Sequence, residues 1–131
     1  GETVILRNAK VRTIDADAYV GMERWGDNIG SANHKSHILL KNVDLTGIKS
    51  FTYEYSSQNK EGEIEVRIDS YAGPVIAKTS YKATGDWDKV QAVSSQVVQP
   101  VSGRHNVYFI LLKREKPNDD IIKLMSIKFG E

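Results

Sequence analysis

The sequence predicts an all-β sandwich of two antiparallel sheets, on three observations. Short runs rich in Val, Ile, Thr, Tyr and Phe recur, with turn residues between them, at spacings of roughly 8–12 residues. The clearest of them, residues 62–70 (GEIEVRIDS), sets Ile64, Val66 and Ile68 against Glu63, Glu65, Arg67 and Asp69 with a period of two. That period puts apolar side chains on one sheet face and charges on the other. No window of useful length carries a sustained helical period.

Taken in order, residues 3–14 (TVILRNAKVRTI) alternate Leu6, Ala9, Val11 and Ile14 and predict an edge strand or two, with Asn8 as a break. Residues 22–37 hold Gly26, Asn28, Gly30, Ser31 and Asn33 with little apolar content, so a long surface loop is expected there. Strand character resumes over 38–45 (ILLKNVDL). Thr46 and Gly47 turn the chain, and 48–56 (IKSFTYEYS) sets Phe51, Tyr53 and Tyr55 on one face, the aromatic set marking the buried side. Residues 57–61 form a polar turn into the 62–70 strand. Gly73 and Pro74 then make the turn of a hairpin that returns over 75–81.

Residues 82–88 (KATGDWD) read as a loop, 90–98 as a strand and 100–104 as a turn. Residues 105–113 (HNVYFILLK) are apolar enough in the middle to suit a strand buried on both faces. A charged loop around Pro117 leads to a last strand over 121–129. The total is about eight to ten strands, with no internal repeat.

At 131 residues the chain has room for one domain with its own core. It has no cysteine, which removes disulfides, thiolate metal sites and thiol nucleophiles. Lys and Arg number 18 against 17 acidic residues, interspersed, for a net charge of +1. No basic face is concentrated enough for nucleic acid, and no apolar run approaches the roughly 20 residues that cross a bilayer as a helix. The opening Gly1-Glu2, without an initiator methionine or signal peptide, leads to the expectation of a module excised from a longer protein.

Few residues suggest chemistry. His34 and His37 stand three apart in the irregular segment, a spacing that can place two imidazoles on one metal or leave both on a solvated loop. His105 suits a structural role at a strand start. No serine sits in a nucleophile elbow. The paired carboxylates Asp15/Asp17, Asp86/Asp88 and Asp119/Asp120 lie on turns or on one strand face, short of a reacting centre. Asp15 and Asp17, two apart on a strand, would point the same way and offer oxygen ligands to calcium, or simply be two charges on a solvent face.

Trp87 is the residue of most interest. Between Gly85, Asp86 and Asp88 in a turn, its indole is hard to bury, and it offers a flat apolar plate beside carboxylates that accept hydroxyl hydrogen bonds. That combination suits a sugar ring; the other reading is an indole folded under its own loop. Trp25, in MERWGDN, carries the same ambiguity.

The segments HILLKNVDLTGIKSFTYEYSS, GEIEVRIDSYAGPVIAKT, ATGDWDKVQAV and VSGRHNVYFILLK, in that order, resemble the family 6 carbohydrate-binding modules, and residues 14–19 (IDADAY) resemble the family's opening motif. The resemblance implies a galactose-binding-domain-like jelly roll, appended to secreted sugar-active proteins and holding a sugar between two aromatics in a loop site. Trp87 matches one wall. The other wall, usually a tyrosine before the strand at 38–45, has no clear counterpart; Asn33, His34 and His37 occupy that region. The family's late asparagine falls on Lys123, with Asn118 and Asp119 as substitutes if their loop bends. Asp15 and Asp17 match acidic positions near a structural calcium, while Met125 stands where a further acidic ligand is expected, and methionine is a poor calcium ligand.

The resulting expectation is a non-catalytic module that binds a polysaccharide or oligosaccharide through Trp87, with Asp86, Asp88 and residues 118–120 bonding hydroxyls. It would be extracytoplasmic, monomeric in isolation and joined to other domains of its parent chain. The alternative from another class is a structural sandwich that has lost sugar binding and packs on a neighbouring domain.

Overall fold

The computed structural model describes residues 9–131, and there the alternating runs become strands. In chain order they are β1 (Lys10–Arg12), β2 (Ala18–Val20), β3 (Glu23–Trp25), β4 (Asn28–Gly30), β5 (His37–Asp44), β6 (Ser50–Ser56), β7 (Gly62–Ile68), β8 (Val75–Tyr81), β9 (Gln91–Gln96), β10 (Arg104–Leu112) and β11 (Lys123–Gly130). One sheet runs β3-β4-β11-β6-β9, with β1 also pairing with β11, and the second runs β2-β5-β10-β7-β8. All strand pairs are antiparallel. This is the predicted two-sheet sandwich, and the 62–70 run that defined the pattern is β7, paired on both sides with β10 and β8.

The inner faces follow from the period-two pattern. Phe51, Tyr53 and Tyr55 of β6 face Ile64, Val66 and Ile68 of β7 and Val107, Phe109 and Leu111 of β10 across a continuous buried core. Phe109 meets Phe51, Tyr53 and Phe129 edge-on, at centroid distances of 5.5, 6.0 and 6.4 Å, the arrangement that aromatic quadrupoles favour. Ile110 and Leu112, on the outer face of β10, are also buried, so the strand expected to be covered on both sides is.

Four expectations change. Residues 13–15, expected in a strand, form a single 3₁₀ turn (Thr13–Asp15), held against β11 by the buried Thr13 hydroxyl, which donates to the Leu124 carbonyl at 2.7 Å. The expected loop over 22–37 contains the β3–β4 hairpin, turned at Gly26 with φ +62°, and buries Ile29 and Ala32 completely. Glu65, expected on the wet face, is buried and takes an Arg67 Nε–H at 2.6 Å; the pair lies two apart on one strand face, and the arginine makes burial of the carboxylate tolerable. The last strand begins at Lys123, later than expected, because Ile121 and Ile122 pack into the core from the loop. The part of the predicted first strand over 3–8 lies outside the described residues.

His105 closes the loop end of β10. Its Nδ1 lies 2.8 Å from Asp69 Oδ1 and its Nε2 2.9 Å from the Ser102 carbonyl. Two acceptors favour the doubly protonated ring, so the Asp69 hydrogen bond and then the Ser102 carbonyl raise its pKa above the ordinary 6.5. A raised folded-state pKa gives stability that is fully present below about 6.5 and is lost as pH rises through the raised value. The stability difference between wild type and His105→Ala, from denaturant melts, is therefore expected to be larger near pH 5.5 than near about pH 9. Equal differences at both ends would show that the imidazolium contributes nothing.

Candidate functional site

The T-G-D-W segment is fixed from below. The Thr84 and Gly85 amides donate to the Ser57 carbonyl at 2.7 and 3.2 Å, and the Ser57 amide donates to Thr84 Oγ1 at 3.1 Å. The Tyr81 hydroxyl donates to the Ile121 carbonyl at 2.8 Å, and the Ser57 hydroxyl is shared between the Lys60 and Ile121 carbonyls, at 2.6 and 3.0 Å. These bonds tie the β8–β9 loop to the segment that carries Asp120 and Lys123. Asp86 turns the chain: its Oδ1 accepts the Asp88 amide at 2.7 Å, an Asx turn that holds Trp87 out at the rim, half-buried rather than folded under its loop.

Trp25 stands at the end of β3 and is 56% exposed. Its Nε1–H donates to Ser31 Oγ at 2.9 Å, which sets the ring's orientation. Both tryptophans line one cleft of about 370 Å³, together with Gly30, Ser31, Asp120 and Lys123, a size within the roughly 300–1,000 Å³ usual for small-ligand sites. Gly30 forms part of its wall for a steric reason. A Cβ there would stand 3.1 Å from Trp25 Cδ1 and 3.4 Å from Lys123 Cγ, so a side chain would displace the indole or the lysine stem. Two indoles, a hydroxyl, a carboxylate and an ammonium supply flat apolar contact together with hydrogen-bond acceptors and donors.

The sequence-predicted residues divide. Trp87 and Lys123 line the cleft. Asp86 and Asp88 flank Trp87 but are exposed outside the lining, Asp86 spending one oxygen on its own turn. Asn118 and Asp119 lie behind it: the Asn118 carbonyl accepts the His34 amide at 2.9 Å, and Asp119 pairs with Lys60. Asp120, with φ +49°, is the loop residue that reaches the cleft.

Neither histidine faces the tryptophans. His34 Nδ1 accepts the Lys113 amide at 3.0 Å, and desolvation, followed by the charges of Lys35 and Arg114, lowers its pKa. His37, on the outer face of the other sheet, packs on Tyr71 and Tyr108 at centroid distances of 4.9 and 5.8 Å, and burial lowers its pKa too. The aromatic that shares the cleft with Trp87 is Trp25, which comes from the preceding hairpin rather than from the region of Asn33, His34 and His37.

Asp15 and Asp17 do not stand on a common strand face. Asp15 lies in the 3₁₀ turn and accepts Arg12 Nε–H at 3.1 Å, whereas Asp17 accepts the Lys41 amide at 2.7 Å. Met125, partly buried, sits at a bulge of β11. No group of three or more His, Asp or Glu side chains converges among the described residues. Calcium takes six to eight converging oxygens, so Asp15 and Asp17 would not hold it without further donors. Removal of divalent ions with EDTA is expected to leave the melting temperature unmoved. A fall reversed by calcium would show that main-chain oxygens complete a site around these carboxylates.

The sequence profile described as carbohydrate binding module (family 6) matches residues 7–131. A family 6 module from Clostridium cellulolyticum, solved in complex with xylose, superposes with a TM-score of 0.82 at 24% identity, covering 94% of this chain and 97% of that one. A β-1,3-glucan-binding module from Bacillus halodurans superposes with a TM-score of 0.87 at 22% identity over the full length of both. The whole chain also matches 28% of a family 43 arabinoxylan arabinofuranohydrolase from Bacillus subtilis solved with cellotetraose, at 18% identity and a TM-score of 0.84. No curated protein matches the sequence.

Proposed function

The chain belongs to the family 6 carbohydrate-binding modules, a non-catalytic binding family, and from that premise we propose that it holds a sugar ring between Trp25 and Trp87. The observation that carries the proposal is that both indoles line one cleft together with Ser31, Asp120 and Lys123. Pyranose rings present C–H faces to aromatic planes and hydroxyl edges to polar groups. Here Asp120 accepts hydroxyl protons and Lys123 donates, while the indoles exclude water from the ring faces.

One shallow site of this kind gives affinities in the micromolar to millimolar range. Such a module targets an attached domain to a glycan by raising its effective concentration there, and the match to part of a glycoside hydrolase supports that arrangement. On this reading the parent protein works outside the cytoplasm, where polysaccharides are met, and the isolated module is monomeric. Affinity electrophoresis through a panel of polysaccharide gels, with wild type beside Trp87→Ala, tests the proposal. Retardation of the wild type alone supports it, whereas no retardation of either on any glycan favours a structural sandwich that has lost sugar binding.

A further inference from the structure

Three lysines among the described residues are half-buried: Lys60, Lys113 and Lys123. Two are satisfied within the chain. Lys60 Nζ bonds the Asp119 carbonyl and lies 3.7 Å from its carboxylate, and Lys113 Nζ donates to the Glu115 carbonyl at 2.7 Å. Lys123 has neither a hydrogen-bond nor an ion-pair partner for its ammonium among the described residues, yet it lines the cleft that the tryptophans share.

An ammonium that lines a cleft without a counter-charge from the chain is free to make charge-assisted hydrogen bonds to an incoming anion. Position adds to this. Lys123 is the first residue of β11, held in register opposite Ser56, and its Cβ and Cγ pack over Gly30, so its stem is constrained where a ligand's edge would lie. Asp120, the other charge in the lining, sits on the exposed loop and accepts hydroxyl protons rather than meeting an anion.

We propose that the cleft selects an anionic saccharide, one whose ring carries a carboxylate or a sulfate ester, with Lys123 taking the anionic group while Asp120 accepts ring hydroxyls. The inference rests on the sugar-binding reading above and names the substrate class for that site. Asp86 and Asp88 at the rim and Asp120 in the lining make the cleft hostile to anions without the lysine, so Lys123 decides the sign of the preference.

The test titrates intrinsic tryptophan fluorescence with two matched pairs: trigalacturonate against its methyl ester, and a sulfated galactan oligosaccharide against its desulfated form. At about 50 mM salt the charged member of at least one pair is expected to bind roughly tenfold tighter than its neutral partner. The pair that shows the preference identifies carboxylate or sulfate as the group recognised. At about 1 M salt, where the screening length falls to about 3 Å, the ratio should approach one.

In Lys123→Gln, which keeps the stem over Gly30 but removes the charge, the ratio should collapse at low salt. Neutral members binding as well as charged ones in the wild type, or a preference that survives Lys123→Gln, overturns the inference. A wild type that is retarded by a neutral glycan in the gel panel but binds neither charged probe loses this inference alone. One that binds nothing in either assay loses the sugar-binding reading with it.

Discussion

Trp87→Ala is expected to abolish measurable retardation on every glycan that slows the wild type. An indole that covers about 100 Å² of a ligand's apolar face contributes roughly 2.5 kcal/mol at about 25 cal/mol per Å², and central aromatic anchors at binding surfaces cost 2 kcal/mol or more on truncation. That is a loss of more than about thirtyfold, from a starting affinity already in the micromolar to millimolar range. The fold should survive, because Trp87 is only half-buried and its loop is held by the bonds of Thr84, Gly85 and Ser57 rather than by the ring; a stability change within about 1 kcal/mol is expected. Trp25→Ala should weaken binding in the same direction, since it removes the other indole of the cleft and frees the Ser31 hydroxyl that the indole now occupies. If Trp87→Ala migrates like wild type in a gel that retards both, the cleft is not where sugar binds.

The strands of the core were legible because each is long enough to show its period. β6, β7 and β10 run seven, seven and nine residues, and their alternating aromatic and aliphatic positions are the ones that are buried. The β3–β4 hairpin escaped because its strands have three residues each, too few for a period, and its buried Ile29 and Ala32 stand alone among polar neighbours.

Bulges hide parity. Asn42, with φ +57°, donates its amide to Asn106 Oδ1 at 3.1 Å beside a register shift between His105 and Val107, so Leu40 and Val43 both reach the core although their spacing is odd. Left-handed backbone of this kind is most readily accepted by Asn and Asp after glycine.

Half of the candidate site was legible. Trp87 was identifiable from G-D-W-D, and a sign pointing to Trp25 was present: both tryptophans of the chain adjoin a Gly-Asp pair, in R-W-G-D-N and T-G-D-W-D. What sequence could not supply was that the β3 hairpin and the β8–β9 loop meet at one end of the sandwich, a consequence of β4 pairing with β11. Asp119 pairs with Lys60 whereas Asp120 lines the cleft, and adjacent carboxylates on a loop carry no period to separate them.

Core and cleft should be separable by mutation, and Phe109→Ala is the substitution that shows it. Phe109 is fully buried on β10, the central strand of its sheet, and touches rings from β6 and β11 across the sandwich. Truncating a buried phenylalanine costs about 3–5 kcal/mol in all, through lost transfer energy, lost ring contacts and the cavity left behind. Domains of this size are stable by about 5–15 kcal/mol, so the variant should remain folded at low temperature with its denaturation midpoint moved far down in guanidinium chloride. A saturating glycan binds only the folded form and should recover part of the loss, about 2.7 kcal/mol at a hundred times its dissociation constant. Trp87→Ala should show the opposite pattern, with a midpoint near wild type and no recovery by any glycan. A loss below about 1 kcal/mol in Phe109→Ala would mean that the neighbouring rings close the space, and that the two sheets are held together elsewhere.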